Sequence, residues 1–102
     1  MKLIKYLSDR IEGEIHDACS YIDEAISCKA ENPETAEVLY QLSLGEMEDM
    51  DTLHNEVVRL IDEYRKEYGD PPEKMMWRYE FLHERQIEDA TKVKVKQAMF
   101  KA

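Results

Sequence analysis

Glycine and proline are scarce, three of each in 102 residues, which argues against a fold rich in turns and short strands. Cations are outnumbered, 14 Lys and Arg against 23 Asp and Glu for a net charge of −9. Nonspecific binding to nucleic acid is thereby disfavoured. Long apolar runs are missing too: the hydrophobic residues, 43% of the chain, recur at helical spacing, so neither a membrane span nor a signal peptide in MKLIKYLSDR is expected. The only cysteines, Cys19 and Cys28, lie on what reads as one helix, about 13 Å apart by helical rise. They cannot bridge each other, and two unpaired thiols point to a reducing cytoplasm. With 9% aromatic and 36% charged residues, a single short domain has little material for a large private core, and association is expected.

The few breakers are well placed. Asn32-Pro33 and Gly69-Asp70-Pro71-Pro72 each read as a helix stop followed by a start, with Asn32 a good N-cap and Pro33 at the first helical position. Gly69 suits a left-handed helix end, and Asp70 to Glu73 has the spacing of a capping box. The predicted architecture is all-α and one domain, with helices over 3–30, 33–68 and 71–100.

On a helical wheel the first helix gathers Ile4, Leu7, Ile11, Ile15, Ala18, Ile22 and Ala25 on one face, with Glu14 and Tyr21 among them. The second gathers Leu39, Leu42, Leu53, Val57, Leu60 and Tyr64, and Glu46 and Asp49 fall into that stripe. Other acids, and His16, Asp23, Asp51 and Leu44, project elsewhere and need only a solvated face. A carboxylate in an apolar stripe is expensive unless protonated, paired with a cation or bound to a metal. No Lys or Arg is expected level with these acids on either stripe. Folding the two helices antiparallel about residue 32 brings Glu14 level with Asp49 and Met50, and Glu46 within about one turn, so the three acids can converge.

The run from Ile11 to Tyr64 resembles the ferritin-like superfamily, whose first helix pairs a metal-binding Glu with a Tyr seven residues on, as Glu14 and Tyr21 stand here. That family's second helix carries Glu-x-x-His behind another Glu, and Leu42-Ser-Leu-Gly45-Glu46-Met-Glu-Asp49-Met-Asp-Thr-Leu53-His54 is similar in register. Gly45 stands where the family often has Glu, and Asp49 where it has His. The resemblance implies Glu14 and Glu46 as metal ligands, with Asp49 a substitute third. Its half-ferritin members, the encapsulated ferritins among them, build a four-helix bundle from two hairpins. It therefore implies a two-fold homodimer, each ion shared between subunits, and iron oxidation by oxygen as the reaction. Six carboxylates around the axis would favour iron, manganese, magnesium or calcium over zinc or copper(I). A non-enzymatic helical assembly or adaptor protein, keeping the dimer without a metal, is the competing reading.

The remaining signals read as structural. His54 is poorly placed to share the ion of Glu46 and is expected to flank the core; Asp51 with His54 has the i,i+3 spacing of an alternative metal pair, but Asp51 falls on the outer face. His83 shares a face with Met76, Tyr79, Ile87 and Ala90, and is either a hydrogen-bonded core residue or a ligand reaching the acids. The third helix is apolar on several sides: Trp77, Phe81, Val95 and Met99 oppose Met76, His83 and Ala90, with Leu82, Val93 and Phe100 between. It is expected to pack on its own hairpin and on another subunit. Scattered Met residues are core filler. Lys92, Lys94, Lys96 and Lys101 suit a helix C-terminus. Neither thiol has the context of a nucleophile, and no Gly-rich phosphate loop occurs.

Overall fold

The computed structural model describes residues 2–102 as three helices, α1 (Lys2–Cys28), α2 (Pro33–Tyr68) and α3 (Glu73–Lys101), in a rod of 56 × 19 × 18 Å. No strand occurs among the described residues, and no helix there is long and apolar enough to cross a membrane.

The breakers act where expected, though not always by the expected device. Pro33 opens α2, and the Asn32 carbonyl accepts the Ala36 N–H at 2.9 Å, but the Asn32 side chain makes no cap. Gly69 takes φ +82° and donates its N–H to the Arg65 carbonyl at 2.9 Å, a backbone angle that residues with a Cβ rarely adopt. The expected capping box at Asp70 does not form. Each residue before a proline is kept out of the helical region, so Pro71 and Pro72 hold the chain extended and α3 begins only at Glu73, while exposed Asp70 approaches Arg65 at 3.7 Å.

α1 and α2 form the antiparallel hairpin, with Ile11, Ile15, Ala18, Ile22 and Ala25 buried along α1. The alternation of Ala and Ile lets the helices approach closely around Ile22, which is fully enclosed and contributes roughly 2–3 kcal/mol through burial. α2 is rotated from the expected stripe. Its buried residues are Ala36, Ser43, Met47, Met50, Val57 and Ile61, a face centred roughly 80° round the helix from the leucine stripe. Leu42 is 45% exposed, and Leu39, Leu53, Leu60 and Tyr64 are half-buried. The buried face of α2 is set chiefly by α1, with α3 touching it more lightly at Tyr40, Ser43 and His54, and the leucines fall at the hairpin's open edge.

α3 seats on the other side of the hairpin through buried polar bonds. The Gln86 amide donates to the Ser8 carbonyl and Oγ at 3.2 and 3.3 Å, and the Gln97 amide donates at 2.9 Å to Ser43 Oγ, which donates at 2.8 Å to the Ala18 carbonyl. Among the described residues no buried side-chain polar atom lacks a partner. Its C-terminal end is fastened by Phe100, stacked on Tyr40 at 4.8 Å, and by Lys29, which donates to the Phe100 carbonyl. Two lysines of the basic run add ion pairs, Lys96 to Asp23 at 2.8 Å and Lys101 to Glu37 at 3.2 Å. The Lys96 hydrogen bond holds the Asp23 carboxyl below its ordinary range, and hydrogen bonds from Gln41 and then Lys101 do the same for Glu37. Trp77, Phe81, Val95 and Met99 remain 50–68% exposed.

Candidate metal centre

Glu14, Glu46 and Asp49 come together: one carboxylate oxygen from each lies within 4.8 Å of the other two. The antiparallel register of α1 and α2 places them so. Glu14 is buried at 7% exposure, Glu46 half-buried and Asp49 exposed, so the cluster opens to solvent on the α2 side. α3 docks against Ser8, Cys19 and Asp23 on α1 and against Tyr40, Ser43 and His54 on α2. On the wheel the three acids fall on the opposite flank of the hairpin, beside Leu42, Leu53 and half-buried Tyr21.

One expectation fails here. Glu14 does have a cationic partner: Arg10 Nη2 donates to its Oε1 at 2.8 Å. Arg10 stands one turn earlier on the same helix, and its long stem carries the guanidinium to the level of the acid from a half-exposed position. Burial of Glu14 is therefore compensated without an ion.

The donor set nonetheless suits a hard cation. Six to eight oxygens at about 2.1–2.5 Å from an ion are separated from one another by no more than roughly 4–5 Å across the sphere, which matches the observed spread with only small side-chain adjustment. Arg10 would swing outward to free Glu14. Gly45, where the resemblance expects an acid, has open space around its Cβ direction, with no atom within 4 Å.

Neither His54 nor His83 belongs to this cluster. His54 and His83 instead stack on each other on the α3 side, ring centroids 4.7 Å apart and planes at 10°, with Tyr79 stacked on His83 at 5.8 Å. His83 as a ligand of the acids is thus overturned: α3 crosses the hairpin on the far flank. Ile87, expected on the same packed face as His83, is 52% exposed. The stack was not foreseeable from helical spacing, because it depends on how the turn at Gly69–Pro72 sets α3 against α2.

Burial, then the neighbouring His54, pushes the His83 imidazole below its ordinary value of 6.5, while Glu84 pulls weakly the other way. A histidine lowered in the folded state contributes stability above the unfolded value and loses it as pH falls through about 6.5 toward the folded value. Thermal unfolding should therefore show a loss of stability between pH 7 and 5. In His83→Phe, which keeps the stack without a titrating ring, that part of the loss should vanish.

Comparison of the chain with family models, with curated proteins and with solved structures finds no match.

Proposed function

We propose that the protein is a ferritin-like metal-binding homo-oligomer, with Glu14, Glu46 and Asp49 as its ligands and iron or manganese as its ion. The observation that carries this reading is the convergence of one buried and two more accessible carboxylates within 4.8 Å on two facing helices. The cluster lies on the hairpin flank that α3 leaves open, beside half-buried leucines that a second hairpin would cover. Two such hairpins about a two-fold axis make a four-helix bundle with six carboxylates around the axis. All-oxygen donors favour hard ions over zinc or copper(I). Where the ion is Fe(II), it is the substrate, and weak ferroxidase activity follows from the resemblance. The setting is the cytoplasm, where Cys19 and Cys28 stay reduced.

The Arg10–Glu14 ion pair favours a second reading, a helical assembly or adaptor protein that keeps the dimer without an ion. Metal content of the protein purified without added metal, measured with its mass in solution, separates the two. The metal reading expects iron or manganese bound to a species of at least twice the 12.1 kDa chain. A metal-free dimer that binds neither ion on titration supports the adaptor, and a metal-free monomer removes both.

A further inference from the structure

The outer face of α3 carries a pattern that the hairpin does not use. Trp77, Phe81, Glu84, Glu88, Lys92, Val95 and Met99 form one continuous stripe opposite the buried residues Gln86, Ala90, Val93, Gln97 and Phe100. All seven are exposed, and Glu84, Glu88 and Lys92 make no ion pair among the described residues. The stripe is symmetric about Glu88. Glu84 and Lys92 lie four residues to either side of it, Phe81 and Val95 seven, and Trp77 and Met99 eleven. Eleven residues are close to three whole helical turns, so the stripe runs nearly straight along the axis for about 33 Å.

When two helices pair antiparallel about a two-fold axis, residues equally distant from the central one meet across it. Centred on Glu88, that operation sets Trp77 against Met99 of the partner subunit, Phe81 against the partner's Val95, and Glu84 against the partner's Lys92. Every apolar residue meets an apolar one. Both acids flanking the centre meet a base, and only Glu88 faces its own kind. Trp77 and Phe81 are already stacked on each other at 6.0 Å and 14°, so the largest side chains would lose little freedom on docking. We propose that the exposed face of α3 is a homodimer interface in which two copies of the helix pair antiparallel with Glu88 at the two-fold axis. It lies on a different flank from the acidic cluster and does not depend on metal binding.

The test uses the full chain with Cys19→Ser and Cys28→Ser, and single cysteines at Phe81→Cys or Val95→Cys. Under mild oxidation with glutathione disulfide, a mixture of the two variants should give a disulfide-linked heterodimer at least about tenfold above either variant alone, because like positions lie about 21 Å apart along the paired helices. Adding Glu84→Lys to both copies sets lysine against lysine and should cut the yield about tenfold. Placing Glu84→Lys on the Phe81→Cys copy and Lys92→Glu on the Val95→Cys copy restores both charge pairs and should restore the yield. Circular dichroism checks that each variant keeps its helices. The proposal is overturned if the mixture does not cross-link, if either variant links to itself as well as to the other, or if charge reversal leaves the yield unchanged. Mn(II) titration of the same proteins reads the acidic cluster separately.

Discussion

Glu14→Ala and Glu46→Ala are each expected to weaken Mn(II) binding by at least about a hundredfold, since losing a direct ligand should cost no less than losing the groups that merely orient one. Asp49→Ala should weaken it less. Asp49 is the exposed member of the cluster, and its short side chain is the one most easily replaced by water. Asp49→His should shift preference toward Zn(II), because imidazole suits it better than a third carboxylate. Arg10→Met adds a test in the opposite direction: it removes the cation that now satisfies Glu14, so an ion would bind without first displacing the guanidinium, and affinity should rise. Calorimetric titration with Mn(II), Fe(II) and Zn(II) checks all of these. If wild type binds none of them and Glu46→Leu is more stable than wild type at neutral pH, the acids belong to a scaffold and the adaptor reading stands.

Ser43→Ala is expected to cost about 2 kcal/mol and to lower Tm by roughly 10 °C. Ser43 is fully enclosed and mediates between helices, accepting from Gln97 and donating to the Ala18 carbonyl. Its loss leaves the Gln97 amide buried without an acceptor and the carbonyl without that donor, and those unmet groups cost more than the two bonds contribute in net. The double variant Ser43→Ala with Gln97→Leu removes donor and acceptor together and should recover much of the loss. Thermal and urea unfolding of the four proteins in the cycle measures the coupling. Additive losses would mean that Ser43 and Gln97 are not coupled and that this bond does not help to hold α3.

These bonds explain where the sequence was legible and where it was not. Helix ends could be read because Pro33, Gly69 and the Pro71-Pro72 pair act locally, whatever surrounds them. The first helix could be read because its buried face is mostly Ile and Ala at helical spacing. α2 could not be read fully: its buried face includes Ala36, Ser43 and Met47, which carry a weaker apolar signal than the leucines that fall to the edge. The seated face of α3 was hidden because it contains Gln86 and Gln97, which look like surface residues until Ser8 and Ser43 are placed opposite them. At the acidic cluster, spacing about the turn near residue 32 sufficed to bring Glu14, Glu46 and Asp49 together. Arg10 was missed because a wheel places Cα positions, and an arginine acts at the end of a stem that reaches a full turn.

The extents of the rod, 56 × 19 × 18 Å, bear on how its assembly is measured. A body about three times longer than it is wide drags more than a sphere of equal mass, so a lone chain would leave a sizing column early and pass for something larger. Side-by-side pairing, on the hairpin flank or on α3, doubles the mass while leaving the longest dimension nearly unchanged. Such a dimer is stouter than the chain it is built from. Elution volume would change less than mass, whereas X-ray scattering would record a doubled forward intensity with an almost constant maximum dimension, a signature that end-to-end association cannot produce.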